Sequence, residues 1–446
     1  MYRQPEYLTE AHHPKHRLRC PVHGFIRYSD VERKIIDHWL FRRLRLVQQL
    51  ALTELIYPGA CHTRFEHSLG VMEMATRMFD RLASVNGELM EKVFGEVDVL
   101  SEQPLAKARQ ICRLAALLHD TGHSCFSHAA ESVFHKDSQH ESLTVELIRS
   151  EEHLKPILDG EFFEGCAAIT AKLIEADAKN PVPQIRLLRD IISGQIDADR
   201  SDYLIRDSHH CGVDYGRFDH LRLIECLTVN FDDATGELEM AISHDGIHSF
   251  ESLILARHQM NTQVYYHRLR LIYDLYLKEF FKSLDPSEFD SSEKVLAWND
   301  VRAMQRIIEA SEDSMAKGHS WAQRIIHRRH HRNVFSIDEA EGVLALKKAK
   351  KVFELIQVEF SDVGFLADLR DKPVNIHKII RDDDQDGGGI DFPMLENGKR
   401  SSLGGRSQIL KSLPKSFRIG VIFADTQDRE KKKEIGTRCR ELYNQQ

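Results

Sequence analysis

The sequence contains no run approaching the roughly 20 consecutive apolar residues that a helix needs to cross a bilayer. No membrane partner is therefore expected. The opening residues, Met1-Tyr2-Arg3-Gln4-Pro5-Glu6, lack the apolar core of a secretory signal, and a cytoplasmic location is the expectation. None of the eight Cys falls in a Cys-x-x-Cys pair, which speaks against a structural zinc ribbon; scattered as they are, they read as free thiols in a reducing compartment. An excess of basic charge is missing too. The formal net charge is −8, which argues against a protein whose whole surface coats nucleic acid. With 42% hydrophobic and 29% charged residues, wholesale disorder is not expected either.

What is present is a chain of 446 residues, enough for two domains and a large core. Apolar residues at spacings of three and four predict a helix over 30–56, ended by Tyr57-Pro58-Gly59. The same periodicity predicts helices over 65–84, 104–119, 140–151, 163–176, 184–195 and 246–284. Between the last two, residues 230–242 predict a hairpin turning at Ala234-Thr235-Gly236. Beyond about 290 the texture changes. Residues 298–358 read as helical with a basic run at 324–332, residues 381–390 as a mobile, acidic, Gly-rich loop, and 417–423 as a strand before a charged terminal helix. The expected architecture is a mostly α fold with a small β-hairpin insertion. Its expected division is a catalytic domain over 1–290 and a smaller α+β lobe over 291–446 with an oligomerisation or regulatory role.

Several of the 25 His lie where a metal would want them. Four segments supply candidate ligands: His62-Thr63-Arg64-Phe65-Glu66-His67, Leu118-His119-Asp120-Thr121-Gly122-His123 with His128 just beyond, Gln139-His140-Glu141, and Asp197-Ala198-Asp199-Arg200-Ser201-Asp202-Tyr203. Imidazoles and carboxylates together suit Mn, Fe, Zn or Mg. Adjacent residues on a helix point about 100° apart, so His119 and Asp120 grip one ion most easily at a helix end, and Thr121-Gly122 supplies the break. One His-Asp dipeptide carries no weight, and His62 or His135 alone reads as a surface or capping histidine. In order along one helical domain, however, these groups would be a costly polar cluster in a core unless they bind something.

Residues 62–71, 118–128 and 199–207 resemble the motifs of the HD-domain deoxynucleoside triphosphate triphosphohydrolases. Pro21-Val22-His23-Gly24-Phe25-Ile26 and Arg43-Leu44-Arg45-Leu46-Val47-Gln48-Gln49-Leu50 match the same family, and the likeness runs from about residue 20 to about 285. Too little chain precedes Pro21 for the sterile alpha motif of animal members. The resemblance implies an HD-superfamily helical core with metal ligands His67, His119, Asp120 and Asp199, one divalent ion per site, and a second Mg accompanying the substrate phosphates. It implies cleavage of a dNTP to deoxynucleoside and inorganic triphosphate. His140 stands at the position of the general acid, a role that the near-neutral titration of an imidazole suits. His123 and His128 would hold the α-phosphate and orient that donor. Arg64, Arg200, Arg257 and Arg268 would meet phosphates, with Arg200 and Arg268 in place of lysines often seen there. Gln49 and Leu50 would wall the sugar against a 2′-hydroxyl. Tyr203, Asp207 and Tyr265 would hold its 3′ edge.

Asp37 and Arg45 match positions that recognise a nucleotide activator in regulated members, where activation accompanies assembly of a homo-oligomer, here expected as a dimer or tetramer. The cluster His327-Arg328-Arg329-His330-His331-Arg332 reads first as a solvated helix face and otherwise as a site for activator phosphates or nucleic acid. Alternatives from other classes are a nucleoside monophosphatase, a cyclic-dinucleotide phosphodiesterase (the Gly-Tyr-Pro motif is missing), a single-strand nuclease, and a binding module that senses nucleotide without turnover. Pool balancing and antiviral defence against phage would use the same chemistry.

Overall fold

The computed structural model describes residues 13–127, 133, 140–175, 182–337, 343–377, 379 and 392–446. Strands β1 (His16–Cys20) and β2 (Gly24–Tyr28) form a hairpin, followed by α1 (Asp30–Ile36) and α2 (Trp39–Arg42). Ser29 starts α1 through a capping box with Glu32, and Thr63 with Glu66 starts α3 (Arg64–Gly95) in the same way. These caps set where the helices begin, and the second places His67 in the first turn of α3. The next helix, α4 (Pro104–Leu118), is buried on nearly every side, and its buried Arg109 and Arg113 are paired with Asp80 and Glu32. It packs on α3, and α3 packs in turn on helix Ala198–Cys211.

The hairpin at 230–242 is observed as β3 (Leu227–Asp232) and β4 (Glu237–Ser243), paired antiparallel from Leu227 opposite Ile242 to Asp232 opposite Glu237. Gly236, at φ 71°, supplies the left-handed turn residue. Further strands are β5 (Arg332–Ser336), β6 (Phe365–Leu369), β7 (Val374–Asn375), β8 (Pro393–Glu396), β9 (Lys399–Ser402), β10 (Ser416–Phe417) and β11 (Gly420–Ala424). β8 joins β4 in parallel and carries β9, so the hairpin becomes a four-stranded sheet. β11 lies between β5 and β6, and β7 pairs with β10. Apolar packing does not break at 290. Val295, Leu296, Trp298, Ala303, Ile307 and Ile325 belong to the same core as α3 and α4. A second core gathers Val334, Val352, Ile356, Ile422, Ile435 and Leu442. Among the described residues no helix is long and apolar enough to cross a membrane.

Three predicted helices are corrected. Residues 30–56 form α1, α2 and two short 3-10 turns rather than one helix, so Asp37 and Arg45 do not share a helical face. The segment's polar backbone groups find partners elsewhere: the Val47 carbonyl accepts from Arg64, Gln49 N–H donates to the His62 carbonyl, and Gln48 N–H donates to the Asp300 side chain. The helix over 246–284 is split into Ile247–Met260 and Arg268–Ser283 by a π-helical turn at Asn261–Tyr265. Residues 298–358 form helices Asp300–Glu312 and His319–Ile326, then β5, then helix Val343–Glu359. The basic run is therefore not a helix face. It leaves the helix at Ile326, turns at Arg328 (φ 51°) and enters β5. Its polar groups are largely engaged within the chain: Arg324 with Asp425, Arg328 with the Leu55 carbonyl, Arg332 with Gln427, and His331 Nδ1 with the Tyr276 hydroxyl at 2.8 Å. The loop predicted at 381–390 lies outside the described residues.

Candidate active site

Three elements converge on one cluster, in which His67 and Asp120 are buried and His119 and Asp199 half-buried. His67 projects from the first turn of α3, His119 and Asp120 from the end of α4, and Asp199 from the first turn of helix Ala198–Cys211, which Asp197 caps through the Arg200 N–H. Donor atoms of His67, His119 and Asp120 lie within 4.8 Å of one another. Asp199 Oδ1 is 3.1 Å from His67 Nε2 and 3.7 Å from His119 Nε2. All four residues of the expected ligand set are thus brought together. His119 Nδ1 faces the Ala116 carbonyl at 2.8 Å, which turns Nε2 inward, where that buried nitrogen has no hydrogen-bond partner among the described residues. An orphaned imidazole nitrogen beside two carboxylates and a second imidazole is a donor set that fits a divalent cation.

The ligands are oriented from behind. Asp202 meets His67 Nδ1 at 2.9 Å and His23 Nε2 at 2.5 Å, and it accepts two hydrogen bonds from the buried guanidinium of Arg206, both 2.8 Å. Gly70 makes this possible, since a Cβ there would overlap both Asp202 and Arg206. Gly122 performs the same service behind His119-Asp120, where a Cβ would run into the carbonyl of His140. Burial opposes charge on His67, yet hydrogen bonds to Asp199 and Asp202 outweigh it and push the imidazole up to about 10. Burial likewise opposes charge on Asp120, which the Arg64 guanidinium foremost, with the His119 and His123 rings beside it, holds well below the carboxylate range. So many acids in one buried place call for a cation, either a proton on His67 or a metal ion in its stead.

His123 and His140 stack, with ring centroids 3.7 Å apart, and their donor atoms lie within 4.8 Å of Asp120. Burial, with Arg64 and His140 alongside, drives His123 well below the usual imidazole range and keeps it neutral. Arg64 pairs with Asp120 and donates from Nε to Ser127 Oγ at 2.8 Å. Asp207 is held between His62 Nε2 and the Tyr265 hydroxyl, each 2.7 Å away, and Tyr265 meets Tyr203 edge-on at 6.0 Å. The π turn, one residue wider than an α turn, carries Tyr265 at its end. Arg257 is half-buried near Tyr203 and Asp199, and its buried Nε has no partner among the described residues. Leu50 is buried, and Gln49 keeps a buried Oε1 without a partner among the described residues.

Other expected residues stand apart. Arg200 does not reach outward as a phosphate ligand. Its guanidinium folds back onto Asp197 and the Gly194 carbonyl, where it opposes only in part the burial that raises the Asp197 carboxyl to about 6. Arg268 is exposed at the start of its helix. Asp37 is exposed and pairs with Arg33 at 3.3 Å, and Arg45 lies over the Phe65 ring at 3.5 Å. His128 lies outside the described residues. Sequence reasoning missed His23, Asp202 and His62 as orienting groups. The Asp202–Arg206 spacing of four on a helix was the signal available.

Residues 64–207 match the HD domain and residues 218–355 the HD-associated region. The chain therefore carries an HD domain followed by an HD-associated region, and HD domains bind divalent metals. It is 37% identical over 256 residues to YwfO, an uncharacterized protein of Bacillus subtilis, a match covering 56% of this chain and 51% of that one. It is 28% identical over 293 residues to human SAMHD1, a deoxynucleoside triphosphate triphosphohydrolase, covering 60% of this chain and 44% of the relative. The chain thus spans about half the length of the curated relatives it matches. A hypothetical protein from Aquifex aeolicus, known from its crystal structure, superimposes with a TM-score of 0.73 at 27% identity, covering 94% of this chain and 99% of that one.

Proposed function

We propose that the protein is a metal-dependent phosphohydrolase that converts deoxynucleoside triphosphates to deoxynucleoside and inorganic triphosphate. The observation that carries this reading is the inward-facing His119 Nε2, without a hydrogen-bond partner among the described residues, beside His67, Asp120 and Asp199, with His140 and the Asp207–Tyr265 pair alongside. His67, His119, Asp120 and Asp199 would hold the ion, which supplies charge to polarise the α-phosphate and lowers the pKa of bound water. Arg257, a half-buried cation whose Nε–H is unused among the described residues, receives phosphate charge, and Arg64 sits ready to exchange Asp120 for a phosphate oxygen. Neutral His123 donates a hydrogen bond to the α-phosphate and stacks on His140, fixing its plane. His140 then protonates the departing 5′-oxygen. Asp207, tied to His62 and Tyr265, accepts the sugar 3′-hydroxyl. Leu50 and Gln49 close on the 2′ position, where an added hydroxyl has no room. The human relative's activity, together with these contacts, supports a triphosphate over the monophosphate, cyclic-dinucleotide and nuclease alternatives. A nucleotide activator at Asp37 and Arg45 and a homo-oligomeric state belong to the same reading.

The test is release of inorganic triphosphate from each dNTP and NTP, singly and mixed, with Mn²⁺ or Mg²⁺. Release from dNTPs by the wild type and not by His119→Ala/Asp120→Ala supports the assignment, and release only from mixtures adds an activator. Silence on every triphosphate by metal-loaded protein contradicts it.

A further inference from the structure

Two stretches of irregular backbone flank the Arg64–Asp120 pair. Residues 48–51 carry the sugar wall and residues 122–127 follow His119-Asp120. Ala51 (φ 48°), Phe126 (φ 54°) and Ser127 (φ 51°) adopt a left-handed conformation that L residues seldom take. Amides in each stretch find their acceptor on one distant side chain. Phe126 N–H donates to Asp300 Oδ1 at 2.7 Å, and Gln48 N–H donates to Asp300 Oδ2 at 2.8 Å. Ser127 Oγ closes the ring, donating to the Gln48 carbonyl at 3.1 Å and accepting from Arg64 Nε at 2.8 Å.

Asp300 is itself rigidly placed. It occupies the first turn of helix Asp300–Glu312, which Asn299 caps, and it is 8% exposed. Trp298, just before it, is fully buried against Phe281 and Phe289. Burial raises its carboxyl to about 6, against the two amide hydrogen bonds. An apolar side chain would fill this place at less cost. What a carboxylate adds is two acceptor oxygens pointing at two loops of a different segment of the chain.

We propose that Asp300, from the HD-associated region, is a positioning residue of the active site. By clasping both loops it sets the gap between the Gln49–Leu50 wall and the His123 loop, and through Ser127 it aims Arg64. The functional part of this inference rests on the proposed roles of Gln49, Leu50 and His123 toward a nucleotide. The clasp itself does not.

The test combines hydrogen exchange with substrate preference in wild type, Asp300→Ala and Asp300→Asn. Asn keeps one acceptor and so guards against a variant that fails to fold. Expected is faster amide exchange in peptides covering both Gln48 and Phe126, full in Ala and partial in Asn, with α3 as protected as in wild type. Mn²⁺ affinity should stay within about twofold, while the preference for dATP over ATP falls about tenfold, as a loosened wall would allow. Unchanged exchange at either loop overturns the clasp. Unchanged preference in a variant whose loops have loosened overturns the positioning role. If wild type turns over neither nucleotide, preference is read as binding of dATP against ATP to the Mn²⁺-loaded protein. That failure then falls on the proposed function and not on Asp300.

Discussion

Around His67 the interior is polar, and around Ile435 it is apolar. The first region buries His23, His67, Asp120, His123, Asp202, Arg206 and Asp207, each at most 7% exposed. The second buries Val334, Val352, Ile356, Ile422 and Ile435 and leaves its charges, such as the Arg438–Glu359 pair, at the surface. Burying an ion pair seldom gains stability over an apolar replacement, so a core built like the first is poorly explained by folding alone. The second is what folding alone asks for. The difference teaches where to look for chemistry: at the place where the chain accepts desolvation of many charged groups and orients them by hydrogen bonds.

If that contrast is right, substitutions in the polar core should strike activity and those in the apolar core only stability. The largest effect is expected for His119→Ala, which should lower triphosphate release by on the order of 10³-fold while thermal unfolding changes little. Asp202→Asn removes no ligand but weakens the contact that orients His67, and Mn²⁺ titration should show affinity reduced about 10–100-fold. A smaller loss, about fivefold in KM, is expected for Tyr265→Phe, which deprives Asp207 of one hydrogen bond; steady-state kinetics on dNTPs would detect it. Smallest of all on catalysis is Ile435→Ala. It should cost about 2–5 kcal/mol in chemical denaturation yet leave the kcat of the folded protein unchanged. A large loss of kcat in Ile435→Ala, or none in His119→Ala, would erase the distinction between the two regions.

The helical core was legible because α3 and α4 bury an apolar face along their length, and periodicity reports this directly. The hairpin at Ala234-Thr235-Gly236 was legible because the turn needs a residue with positive φ, and a glycine stands there. Residues 30–56 misled because their apolar spacing suits a helix while their polar backbone groups are claimed by Arg64, His62 and Asp300, which no local pattern reveals. The basic run misled for a similar reason, its partners Leu55, Tyr276, Asp425 and Gln427 being far away in sequence. At the site, the resemblance carried by the ordered motifs implied the four residues now found together. The orienting residues His23 and Asp300 escaped notice because their roles exist only in three dimensions, and Asp202 offered no more than its spacing of four from Arg206.

The most direct test of the central claim is hydrolysis of a dNTP by the Mn²⁺-loaded protein in ¹⁸O-enriched water, followed by mass analysis of the products. Attack of water at the α-phosphorus with departure of the 5′-oxygen predicts one ¹⁸O in inorganic triphosphate and none in the deoxynucleoside. Label in a deoxynucleoside monophosphate or in pyrophosphate, with no triphosphate formed, would contradict it.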